Sequence, residues 1–76
     1  MIQELDRVVL TSNQHELGLE AGDIGTVVFV YDGGRGYEVE FFTLDGETYA
    51  VTTLMAADVR PIDHNEIAHA RAVVAA

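Results

Sequence analysis

The stretch LEAGDIGTVVFV, residues 19–30, decides the fold: Gly22, Asp23 and Gly25 stand directly before an unbroken β-branched and aromatic run. A phosphate-binding loop needs glycines that lead from a strand into a helix N-terminus, where unbonded N–H groups and the helix dipole hold the anion. Here the glycines lead into a strand. Their expected use is a tight turn and a close backbone approach, which let a twisted strand enter a barrel corner.

Reading outward, ELDRVVLT (4–11), centred on Val8, Val9 and Leu10, has ordinary strand length. SNQHELGLEAGD (12–23) is polar and interrupted by Gly18 and Gly22, and reads as a long surface loop. IGTVVFVY (24–31) is a strand, and DGGRG (32–36) after it is a glycine-dense turn that tolerates positive φ. YEVEFFT (37–43) alternates, placing Tyr37, Val39 and Phe41 on a core face and Glu38 and Glu40 on a wet one. LDGE (44–47) carries the Asp45-Gly46 pair that favours a two-residue type I′ turn, with TYAVTTL (48–54) as the return strand. MAAD (55–58) fits one helical turn. VRPI (59–62) is a last short strand, in which Pro61 suits an edge because it has no ladder donor to lose.

The pattern changes at DHNEIAHARAVVAA (63–76). Asp63 stands three residues before Glu66, the capping-box spacing, and Ala68, Ala70 and Ala72 favour helix. Ile67, Ala70 and Val74 would share one face, able to fold over an open barrel end or to meet a partner. About a dozen residues are marginal as an isolated helix, so this one needs something to pack on. The expected architecture is mainly β: a small five-stranded SH3-like barrel over 1–62 with a short C-terminal helix over 63–76.

At 76 residues the chain is one domain with a small core, able to bury about 60% of its unfolded surface. It has no cysteine, hence neither disulfide nor thiolate metal site. The start MIQELDR has no basic or apolar leader pattern and no run is long enough to span a bilayer, so a cytoplasmic protein with no membrane association is expected. Thirteen acidic residues against four arginines and no lysine give a net charge of −9. That field repels phosphate backbones, so no nucleic-acid partner is expected, while a basic protein surface would be attracted. Solubility is the other reading of the same charge.

No residue set suggests catalysis. His64 and His69 are five apart, about 140° round a helix, and His15 is remote, so a metal site is not expected. Ser12, the only serine, has no nucleophile-elbow context. Glu38 and Glu40 would lie about 6.5–7 Å apart on one strand face, a spacing that also arises wherever a sheet face is wetted. The chain is therefore expected to be no enzyme and to carry no cofactor.

The remaining surface is one for binding. The long first loop and the second connection flank a groove in SH3-like barrels. Tyr31 and Tyr37 border the second connection, and Glu16, Glu20, Asp23 and Asp32 would supply an acidic rim. The two tyrosines read equally as interface anchors or as core and cross-strand partners.

GDIGTVV resembles the glycine-and-valine signature of KOW and CAP-Gly modules. The order LDRVVLT, GDIGTVVFVY, YEVEFFTLDGETYAV, DVRPI is similar to electron-transport accessory barrels, including the nitrile hydratase β subunit. Over about residues 2–62, ELDRVVLT, GLEAGDIGTVV, YEVEF, LDGET and DVRP occur in the order and spacing of a small bacterial family, domain of unknown function family 4926. That resemblance implies a stand-alone barrel without assigned activity, often a companion of small toxin- or enzyme-type proteins. The expected function is thus an acidic, non-enzymatic protein-binding module, monomeric or a weak homodimer, that neutralises or regulates a cognate protein in the manner of an antitoxin or immunity protein. Two other readings stand beside it: an accessory subunit of a metallo- or redox enzyme, and a KOW-like nucleic-acid module, which the charge disfavours.

Overall fold

The computed structural model describes residues 1–73. Five antiparallel strands, β1 (Arg7–Leu10), β2 (Ile24–Tyr31), β3 (Gly36–Phe42), β4 (Thr48–Met55) and β5 (Val59–Pro61), form one sheet in the order β4-β3-β2-β1-β5. Two short 3-10 turns, His15–Leu17 and Ala56–Asp58, complete the regular structure of the described residues.

The sheet bends at β2, which changes partner along its length. Ile24 to Thr26 pair with β1, and Thr26 to Tyr31 pair with β3. Between Val27 and Phe29 the register shifts, leaving Val28 as the extra, exposed residue of a bulge that sharpens the local twist. The consequence is a curled sheet. Its inner face brings Val8, Leu10, Val27, Val39, Phe41, Leu54 and Val59 from all five strands into one core, joined by Tyr37 and by Leu19 of the first loop.

The glycines ahead of β2 have two distinct uses. Gly22 has φ +99°, and its N–H donates to the Leu10 carbonyl at 2.7 Å, closing the turn back onto β1. Gly25 is needed for space, because a Cβ there would lie 2.5 Å from Val39 Cγ1 and 2.9 Å from Phe41 Cε1.

Three expectations are corrected. Among the described residues no hydrogen-bonded ladder joins β4 to β5, so the sheet is not closed as a barrel. β5 is only three residues long and ends in Pro61, which has no donor, so there is little strand to pair. Side chains tie the flanking segments instead: Ser12 Oγ donates to Asp58 Oδ1 at 2.9 Å, and Tyr49 Oη donates to the Leu17 carbonyl at 2.9 Å.

The turn after β3 is not type I′, because Gly46 (φ +88°) has a positive φ and Asp45 does not. Thr43 N–H donates to Glu47 O and Gly46 N–H to Thr43 O, both at 2.9 Å, which makes a three-residue loop ending in a left-handed glycine.

The C-terminal helix is not formed over residues 63–73, and its last positions, including Val74, lie outside the described residues. Asp63 and Glu66 make only half of the exchange a capping box needs: Asp63 N–H donates to Glu66 Oε1 at 2.7 Å, but Glu66 N–H donates to the Asp63 backbone carbonyl at 3.2 Å and not to its carboxylate. The exchange closes only a turn. Arg60 grips the Glu66 carboxylate at 2.6 and 2.8 Å, and Arg71 further on is held against the first loop, so the segment between runs without helical bonding. Ile67 of the expected apolar stripe is 96% exposed. Too short to be stable alone, the segment lacks the packing that would have made it a helix.

Candidate functional site

The six candidate residues separate into three groups. Tyr37 is 6% exposed and packs in the core opposite Leu54 and Val30, so it is a structural residue and presents nothing to a partner. Tyr31 is 39% exposed at the far end of β2, and Asp32 follows it in the turn with φ +48°. Glu16, Glu20 and Asp23 belong to the first loop, at the other end of β2. The eight residues of β2 separate Asp23 from Asp32, roughly 25–30 Å if extended. No contact joins the two groups into one rim among the described residues.

At the Tyr31 end a larger feature appears. Residues in register across a sheet share a face, and Phe29, Glu38 and Thr53 form one row while Tyr31, Gly36 and Met55 form the next. Glu40 stands opposite Val51 in a third. Phe29 (49%), Val51 (50%) and Met55 (61%) are all exposed on this outer face. The Phe29 and Tyr31 rings meet edge to face at 4.8 Å between centroids. Glu38 Oε1 accepts from Tyr31 Oη at 3.2 Å and from Thr53 Oγ1 at 2.5 Å, and Glu40 Oε2 accepts from Thr48 Oγ1 at 2.5 Å. Each carboxylate is thus held by cross-strand hydroxyls within an apolar frame. Phe29, Val51 and Met55 were not singled out from the sequence. VFVY (28–31) is apolar throughout, so no alternation in it marks Phe29 as outward, and which face β4 turns outward depends on register.

At the other end, Asp23 is engaged by the chain itself. Arg71 donates from Nε to Asp23 Oδ1 at 2.7 Å and from Nη2 to Oδ2 at 2.5 Å, and Nη2 also reaches the Gly18 carbonyl at 3.0 Å. Glu20 lies 3.6 Å from Arg71 Nη1. Asp23 is also bonded to the Glu20 N–H at 2.8 Å. Partial burial pushes its carboxyl up, but the bonds from Arg71 and Glu20 outweigh this and leave it below the ordinary carboxylate range. The Arg71 guanidinium is correspondingly raised by its bonds to Asp23. Glu16 is exposed in the 3-10 turn and lines, with His15, Leu17 and Thr52, a shallow hollow under the loop.

The sign of the Asp23 shift fixes a pH dependence. A carboxylate depressed in the folded state contributes stability above its unfolded pKa, near 4, and loses it as pH falls through the folded value. The Arg71–Asp23 contact is therefore expected to persist at pH 4 and to release only below it. Following the Arg71 Nε–H resonance through an acid titration checks this, and release above pH 5 would be incompatible with it.

No helix long and apolar enough to cross a membrane is present among the described residues. No curated protein and no solved structure matches the chain significantly. A family model does match, and the match ends at Pro61, so the segment bearing Arg71 lies beyond it. The matched residues, 4–61, include all five strands, and the chain belongs to the family described as domain of unknown function (DUF4926).

Proposed function

We propose that the chain is a non-enzymatic, acidic protein-binding module of SH3-like architecture that engages a basic surface on a cognate protein and restrains or regulates it. The observation that carries this reading is the outer face of β2, β3 and β4, where Phe29, Tyr31, Val51 and Met55 stand exposed around Glu38. An exposed apolar patch rimmed by charge is the usual mark of an interaction surface, and aromatic anchors dominate interface energies. The net charge of −9 supports a basic partner. So does the internal pairing of two of the four arginines, Arg60 with Glu66 and Arg71 with Asp23. The strand order and the partner change within β2 support the SH3-like reading of the fold.

The test is affinity capture of the tagged chain at low salt from its own host, beside a Phe29→Ser/Tyr31→Ser variant. A stoichiometric partner is expected, its activity or toxicity suppressed by the chain. The variant should fold yet bind about 100-fold more weakly or worse, because two exposed aromatic anchors are removed. Raising salt should slow association. Capture unaffected by the double substitution would remove this face from the interface, and an empty capture would sink the binding reading itself.

A further inference from the structure

After the Asp63–Glu66 turn the chain crosses the first loop and the end of β3 as an irregular strap. Ala68 to Val73 form one wall of a cavity of about 570 Å³, and Leu19, Ile24, Phe41, Phe42 and Tyr49 form the apolar part of the other. The strap therefore borders this cleft without filling it.

Arg71 is what holds the strap. Its planar fork makes two bonds to the Asp23 carboxylate and one to the Gly18 carbonyl, an arrangement that the point charge of a lysine does not reproduce. Among the described residues no backbone-to-backbone hydrogen bond ties residues 67–73 to the sheet. Ile67 and Val73 are exposed. A segment fixed by one side chain beside an open cleft is readily exchanged. Glu20 beside Asp23, and the strongly negative chain as a whole, favour a cation arriving from outside.

We propose that this cleft is an arginine-selective site for extended peptide segments, occupied in cis by Arg71 and open in trans to an arginine-bearing segment of a partner protein. The chain's own strap is then a built-in competitor. Apparent affinity in trans is reduced by the fraction of molecules whose strap is closed, and removing the Arg71 side chain relieves that reduction. The groups that hold the arginine, Gly18 and Asp23, lie in the first loop, so the site stands independently of the Phe29–Tyr31 face.

The probe is a capped peptide of the strap's own sequence, AHARAV (68–73), titrated into the full-length chain and followed by amide chemical shifts at Gly18, Asp23 and Tyr49. The Arg71→Ala variant is expected to bind it saturably, about tenfold or more tighter than the native chain does. A peptide with lysine in place of the arginine should bind about tenfold more weakly. Asp23→Asn should abolish the difference between the two peptides.

No saturable binding to Arg71→Ala at about 1 mM peptide, or equal binding of both peptides, overturns the proposal. Should Arg71→Ala not fold, the native chain decides: excess peptide must displace the Arg71 Nε–H resonance from its bonded position, and failure to do so is equally fatal. A native dimer by sedimentation that disappears on substituting Arg71 would make a second copy the occupant and overturn the assignment to a partner.

Discussion

Val27→Asp is expected to remove half or more of the chain's stability, whereas Val28→Asp, one residue along, should leave it almost unchanged. Val27 is fully buried at the point where β2 pairs with Val39 of β3, itself fully buried. A carboxylate there would have no hydrogen-bond partner among Val8, Leu10, Val39 and Phe41, and would lose the apolar contacts of the valine as well. The combined cost is about 4 kcal/mol or more, in a chain whose whole stability is about 5–10 kcal/mol. Val28 is the exposed residue of the bulge, and aspartate there costs at most about 1 kcal/mol through its poor strand propensity. Because a slip of one residue exchanges the two faces of a strand, the pair tests the register itself. Urea denaturation followed by circular dichroism measures both. An unshifted, native-like transition in Val27→Asp, or loss of the transition in Val28→Asp, would put the bulge in the wrong place.

That register was legible in the sequence where local pattern was enough. The alternation of Tyr37, Val39 and Phe41 against Glu38 and Glu40 placed the core face of β3, and IGTVVFVY marked the limits of β2. Where long-range contacts decide, it was not. Tyr31 and Tyr37 flank the same glycine-rich turn, yet one is exposed and the other buried. The strands that carry them pair in register, so only the sheet distinguishes the two tyrosines. The Arg71–Asp23 pair spans 48 positions, a separation at which sequence shows two charges and no reason to join them. Asp23 therefore reads as part of a solvent-facing rim, and residues 63–76 read as helix because alanine propensity, the Asp63–Glu66 spacing and the Ile67–Ala70–Val74 stripe all favour it locally. Propensity is a weak prior, and one fork-like ion pair on a short segment was enough to override it. Barrel closure failed to appear for a related reason: strand order can be inferred from loop lengths, but ladder formation between β4 and β5 depends on how many donors β5 brings.

Gly25→Val is the second substitution expected to be severe, and Gly25→Ala the more informative one. The stretch GDIGTVV holds two glycines that look alike in sequence and differ in cause. At Gly22 the backbone has φ +99° and an added methyl group would meet nothing within 4 Å, so alanine there costs about 1 kcal/mol of backbone strain and no packing. At Gly25 the φ is ordinary, and the obstacle is the side chains of Val39 and Phe41, both buried and unable to withdraw. Alanine should cost about 1–3 kcal/mol by overpacking, and valine more. For a domain of this size each 1 kcal/mol lowers Tm by about 4–8 °C, so thermal melts resolve the difference. The cause is separated by a double substitution. Val39→Ala removes the methyl group nearest to the new Cβ, so Gly25→Ala should be less costly in a Val39→Ala background than alone, by about 1 kcal/mol of coupling. Gly22→Ala, far from Val39 and strained only in its backbone, should simply add. Equal additivity at both positions would mean that Gly25 is not required by the close approach of β2 to β3, and that the glycine-valine signature has some other origin.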